Sequence, residues 1–191
     1  MNTPAHAVVN LLILGQKKRP EEVVPILIGA ILPDLPMVFF YFYEKVILKM
    51  PEQKIWSDLY FDPDWQIFFD FFNALPILLL ALLLATRSAG RKWLVPFFSS
   101  MIFHVFFDLP LHNDDAHGHF FPLSDWHFHS PVSYWDPAHY GQIVAPIEVL
   151  LVLIGSFVLF RRYPSLWVKS LVGAVGAVYL SYWGYIFLVW A

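Results

Sequence analysis

The sequence predicts an all-α, polytopic transmembrane bundle of five or six helices with a histidine-rich outer loop, and three observations carry that prediction. First, 58% of the 191 residues are hydrophobic, 14% are charged and the mean hydropathy is +0.57, a composition that belongs in lipid. Second, apolar runs of about 20 residues, enough to cross a hydrocarbon core at about 1.5 Å per residue, recur along the chain. Third, nine of the twelve basic residues fall in alternate connections. Residues 1–191 read as one integral membrane domain, with no internal repeat, no low-complexity segment and no nucleic-acid partner expected.

In chain order, the stretch 4–15 is apolar but short, and reads as a tilted first span or a re-entrant half-helix. Residues 1–6 lack the basic start of a secretory signal, and Lys17, Lys18 and Arg19 follow the apolar run, so the N-terminus is expected to be retained. A second segment, 22–43, is interrupted by Pro33-Asp34-Leu35-Pro36; such a break leaves backbone groups unpaired and must face protein or a wet cavity. Four clearer runs follow at 66–86, 93–111, 142–160 and 167–190. In the last, Gly173, Ala177 and Ser181 recur every four residues and read as a close helix-packing face, toward this chain or a membrane protein partner. Aromatic clusters at 39–43 and 68–72 read as lipid-facing or packing groups.

Nine of the twelve basic residues (Lys17, Lys18, Arg19, Arg87, Arg91, Lys92, Arg161, Arg162 and Lys169) fall in connections on one side. The loop 44–65 mixes Lys45, Lys49 and Lys54 with acids, and the loop 112–141 has no Lys or Arg. Cytoplasmic loops carry the excess of basic residues. Both latter loops are therefore expected outside, which in a bacterial inner membrane is periplasmic.

Seven of the eight histidines, His104, His112, His117, His119, His127, His129 and His139, lie in one stretch, and the eighth is His6. Under this topology His6, Asp34, His104, Asp108 and Glu148 converge from separate segments on the outer face. Carboxylates at membrane depth are expensive, so Asp34 and Asp108 are expected to bind an ion or handle protons. His104, Asp108 and His112 share a helix face if the helix persists through Pro110. The chain has no cysteine, so a metal must take nitrogen and oxygen ligands. His117 and His119 are further candidate ligands; His127, His129 and His139 fit solvation of the loop better, and Glu148 fits a supporting partner as well as a ligand.

The order Thr3-Pro4-Ala5-His6, then Gly29-Ala30-Ile31-Leu32-Pro33-Asp34, then His104 with Asp108 four residues on, resembles the membrane-bound metal-dependent hydrolases of bacterial inner membranes. In motif order it is also similar to the helical zinc-dependent phospholipase C and single-strand nuclease fold, with Pro110-Leu111-His112 at the place of a Pro-Leu-His element. The resemblance implies zinc held between helices by His6, Asp34, His104, Asp108 and His112, water as nucleophile and a phosphoester or related ester as substrate. The chain departs from that pattern in lacking a later His-x3-Glu; Glu148 follows His139 by nine residues instead.

Together these readings lead to the expectation of a hydrolase at the outer interface that uses a divalent metal, most simply zinc. Asp34 and Asp108 are its expected catalytic carboxylates, and the expected metal set adds His6, His104, His112, His117 and His119. The lipid bilayer and a lipid-like substrate are its expected partners. Two other readings use the same residues: a non-catalytic subunit of a membrane complex, and a metal or proton pathway.

Overall fold

The computed structural model describes residues 1–190, with side chains throughout except at positions 183 and 185–190. The described residues are helical, with no strand among them. Three segments are long and apolar enough to cross a membrane: Pro20–Ile47, Pro63–Arg87 and Gly141–Arg162. Thr3–Leu14 and Leu166–Tyr182 are shorter apolar helices.

Helix α1 (Thr3–Leu14) starts with proline in its first turn, where the missing N–H costs nothing. It runs through the middle of the molecule, with Ala5, His6, Asn10 and Leu11 wholly buried. Around it stand α2 (Val23–Ile31), α7 (Arg91–Asp108) and α8 (Gly141–Arg162), and α9 (Leu166–Trp190) packs on α8. Val8, Leu11, Val23, Ile26, Val152 and Leu159 form the main apolar core. Gly155 of α8 allows the approach to α1, since a Cβ there would meet the Leu12 and Val8 side chains at 2.7 Å.

The expected break in the second segment is a tight turn at Leu32–Asp34, between α2 and α3 (Leu35–Phe42). A short helix, α4 (Glu52–Ser57), then folds over an aromatic cluster of Phe40, Tyr60 and Phe69. Phe39, Phe68 and Phe71 are exposed in the same region, so the two aromatic runs divide between packing and surface.

Two expected spans are differently built. The run 66–86 is two helices, α5 (Pro63–Asn73) and α6 (Leu75–Arg87), separated by Ala74 in an extended conformation two residues before Pro76. Pro76 has no N–H to continue the bonding of the preceding helix and is accommodated in the first turn of a new one, whose own first N–H is left to find a partner. Leu75 N–H donates to the His119 carbonyl at 2.8 Å, so the histidine-rich loop satisfies the break. The fourth run stops at Asp108: Pro110 cannot continue the helix, and Leu111 N–H turns back onto the Asp108 carbonyl. The small residues of α9 are also placed differently from a simple internal seam. Gly176 lies against Ser156 of α8, while Gly173, Ala177 and Ser181 face outward.

Arg162 and Arg91 stand away from the histidine-bearing ends. Arg162, closing α8, donates to the Leu12 and Gly15 carbonyls at the far end of α1 from His6, and α7 begins at Arg91 and ends at Asp108.

Candidate metal centre

Three helices meet in two polar rungs one helical turn apart. In the lower rung, the Asn10 amide of α1 donates to Ser100 O and Oγ of α7 at 2.8 and 2.9 Å, and Ser100 Oγ donates to the Ile26 carbonyl of α2 at 2.6 Å. Four residues along each helix lie His6, His104 and Ala30. There His104 Nδ1 donates to the Ala30 carbonyl at 2.7 Å, and the His6 and His104 rings stack with centroids 3.7 Å apart. Gly29 lets these helices touch, since a Cβ on it would meet the Phe97 carbonyl oxygen of α7 at 2.3 Å.

The Ala30 carbonyl fixes the state of His104. A carbonyl only accepts, so Nδ1 carries a proton, and Nε2 points the other way. There it finds Asp108 Oδ2 at 3.0 Å and Asp34 Oδ1 at 3.3 Å, without the alignment of a hydrogen bond to either. His6 Nε2 lies 2.9 Å from Asp108 Oδ1, and His112 Nε2 approaches the same oxygen at 3.5 Å. The amino group of Met1 also bonds Asp108, and Thr3 Oγ1 donates to Asp34 Oδ2 at 2.5 Å. His6, His104 and Asp108 are all buried, and each offers a ligand atom within 4.8 Å of the others, so this group can hold a metal ion. The donor set suits one: two imidazoles and a carboxylate, with His104 Nε2 and His112 Nε2 buried and unpartnered.

His112 reaches the group by a route other than the expected helix face. Beyond the end of α7 it sits in a turn held by the segment after it. Ser130 N–H and Tyr134 N–H donate to the His112 and Leu111 carbonyls at 2.9 and 3.0 Å, and Ser130 Oγ donates to the Pro110 carbonyl at 2.6 Å. The stretch 130–137 thus buttresses this histidine. Asp115 lies 2.9 Å from His112 Nδ1, which orients the ring toward Asp108. Burial opposes a charge on His112, but Asp108 and Asp115 outweigh it and raise the imidazole to about 9.

His117 and His119 are buried beside His112, with ring centroids 5.5 Å (His112 to His117) and 6.1 Å (His117 to His119) apart, outside the close group around Asp108. Burial, with His112 and His119 nearby, pushes His117 down to about 3. It therefore stands neutral at ordinary pH. His127 Nε2 is 3.7 Å from Asp70, whose carboxylate accepts from Gly118 N–H, while His129 and His139 bond the Asn113 carbonyl and Asp136. Glu148 is a supporting carboxylate. It accepts from Asn2 N–H, the Asn2 amide and the Tyr179 hydroxyl at 3.1, 2.6 and 3.0 Å, tying the start of α1 to α8 and α9.

Sequence reading passed over Asn10, Ser100 and Asn2, and gave Thr3 no role of its own. Asn10 and Ser100 carry a signal that was available, being polar residues inside apolar runs of spanning composition, where side chains of this kind bond across helices. Nothing in the sequence singles out Asn2 before its partners are known, and Thr3 stands out only within the motif Thr3-Pro4-Ala5-His6.

A cavity of about 320 Å³ lies beside the group, lined by its neighbours Asp34 and His112 and by Met37, Trp56, His117 and Tyr134 among others. No protein-family model, curated protein or solved structure matches the chain.

Proposed function

We propose that the protein is a membrane-embedded, metal-dependent hydrolase acting on a phosphoester or related lipid ester at the outer membrane interface. The observation that carries the reading is His104, whose Nδ1–H is committed to the Ala30 carbonyl while its Nε2 faces the carboxylates of Asp108 and Asp34 at 3.0 and 3.3 Å. Such an arrangement favours a cation between them. Zinc is the ion we assign to His6, His104 and Asp108, with Asp34 and His112 at its edge; when bound there it would lower the pKa of a water toward neutrality.

The chain's own groups divide the remaining work. Asp108, 2% exposed, holds the two imidazoles, whereas Asp34, 21% exposed, lines the cavity and can take a proton from water. Thr3 occupies Asp34 Oδ2 and leaves Oδ1 on the His104 side. A second, apolar cavity of about 370 Å³ begins at Thr3 and Pro4 and follows Ala7, Val8 and Leu11 along α1, which suits the chain of a lipid-like substrate.

The same proposal includes membership of the membrane-bound hydrolases that the motif order resembles, five or six spans, and a bacterial inner membrane with the loop 112–141 periplasmic. The placement of Arg162 and Arg91 at helix ends remote from His6 and Asp108 supports that orientation.

Elemental analysis of the purified protein tests the site. His104→Ala and Asp108→Ala should each lose the ion, His127→Ala should keep it, and Asp34→Asn should fold yet fail to hydrolyse a phosphoester that the parent hydrolyses. Equal metal content in the parent and the first three variants would refute the ligand assignment. The outward face of Gly173, Ala177 and Ser181 favours a second reading, a non-catalytic subunit. A metal-free parent that hydrolyses no ester and purifies within a larger assembly would establish that one.

A further inference from the structure

Beside the cavity at the candidate metal centre lies a larger one, of about 460 Å³, and the two share Met37, Trp56 and Tyr134 in their walls. The larger is bounded by the aromatic rings of Trp56, Tyr60, Tyr134 and Trp135 and by two adjacent acids, Asp114 and Asp115. No Lys or Arg is among its described lining residues. From these walls we infer that this cavity receives the ammonium group of a membrane lipid head group, next to the ester-cleaving site.

The walls carry the argument. Ring faces attract a cation through their quadrupole, most strongly for tryptophan, and two tryptophans and two tyrosines surround this space. Carboxylates at the rim add a field of the same sense. The loop 112–141, which contributes Asp114, Asp115, Tyr134 and Trp135, contains four aspartates and no Lys or Arg, so the approach is negative. An anionic head group without an ammonium would be repelled there.

A hydrated metal ion fits less well. Asp115 is already engaged by His112 Nδ1, Trp135 Nε1 at 3.0 Å and Asn113 N–H at 3.2 Å, which leaves Asp114 as the free acid against aromatic walls. Those walls offer rings where a small divalent cation needs oxygen. An alkylammonium needs the reverse.

The lipid source follows from depth. Met37, shared by both cavities, belongs to the spanning segment Pro20–Ile47, and Trp56 and Trp135 are about half exposed above it, as aromatic residues at a membrane boundary are. The two cavities meet at Met37, Trp56 and Tyr134, and His112, which lines the smaller one, turns Nδ1 to Asp115 of the larger and Nε2 to Asp108. One imidazole thus separates the ammonium position from the metal group, so a head group carrying both phosphoester and ammonium can occupy the two together. The role rests on the hydrolase reading above; the binding of an ammonium does not.

The test uses the full-length protein in a detergent without a zwitterionic head group, with tetramethylammonium as probe and ligand-observed NMR as readout. Saturable binding is expected, weakened about tenfold in Trp56→Ala and several-fold in Asp114→Asn. Asp114 is exposed and outside the metal group, so its variant should keep the parent's metal content. In a second arm, protein in nanodiscs of mixed lipid should retain phosphocholine lipid over phosphoglycerol lipid on detergent extraction. Absence of saturable binding, or binding unchanged in Asp114→Asn, would overturn the ammonium site. Probe binding without lipid preference would overturn the lipid source. Metal content and ester hydrolysis are read separately, so a failed hydrolase reading leaves this result interpretable.

Discussion

Gly29→Ala is the smallest perturbation that reaches the candidate centre without touching a ligand. The added Cβ would stand 2.3 Å from the Phe97 carbonyl oxygen and 3.0 Å from Ser100 Cβ, both on α7. Carbon and carbonyl oxygen settle at about 3.3 Å, so α2 and α7 must part by ~1 Å. Ala30 is the next residue, and its carbonyl accepts from His104 Nδ1 at 2.7 Å. Moving that carbonyl by ~1 Å breaks the bond and frees the ring that aims at Asp108 and Asp34. Overpacking of this kind costs about 1–3 kcal/mol, and loss of the partner that orients a metal-bound histidine costs about 10- to 100-fold in metal affinity. Thermal unfolding in detergent reads the first, and competition with a graded chelator reads the second. Gly176→Ala is the control, because its nearest neighbour would be Ser156 Cβ at an ordinary 3.7 Å. The reasoning fails if Gly29→Ala unfolds and releases metal as the parent does, or if the Gly176 variant is equally damaged.

Ser100→Ala should lose about 1 kcal/mol through its bonds to Asn10 and the Ile26 carbonyl, with a further loss of metal retention only if the lower rung sets the register of the upper. Tyr179→Phe removes one donor from Glu148 and should cost about 1 kcal/mol, whereas Glu148→Ala leaves three donors unpaired and should cost clearly more; equal unfolding curves would refute the tie between Asn2, α8 and α9. In this cysteine-free chain, Ser124→Cys should react with a membrane-impermeant thiol reagent added from outside the cell, and reaction only from the cytoplasmic face would invert the orientation.

Composition and periodicity were sufficient for a helical chain with membrane-crossing segments, because hydropathy is a sum over neighbours and needs no tertiary knowledge. The convergence of His6, Asp34, His104 and Asp108 was legible too, since the alternation of basic loops assigns each segment an end. The break at Ala74 was less legible: Pro76 sits inside an otherwise unbroken apolar run, and the group that satisfies the break, the His119 carbonyl, is distant in sequence. His112 shows the same limit. Its spacing from Asp108 suggested a shared helix face, but Pro110 ends the helix, and the ring returns only because Ser130 and Tyr134 hold the turn. The rung of Asn10 and Ser100 depends on the pairing of α1 with α7, which no local pattern encodes.

The central place of α1 has a consequence for biogenesis. It is made before every element it touches: Asn10 waits 90 residues for Ser100, His6 waits 102 for Asp108, and Asn2 waits 146 for Glu148. An imidazole and an amide of an apolar helix thus stay without their native partners until those later elements are made. Made ahead of its partners, this helix is among the last of these elements to be enclosed, and its polar side chains find their bonds only once α7 and α8 have followed.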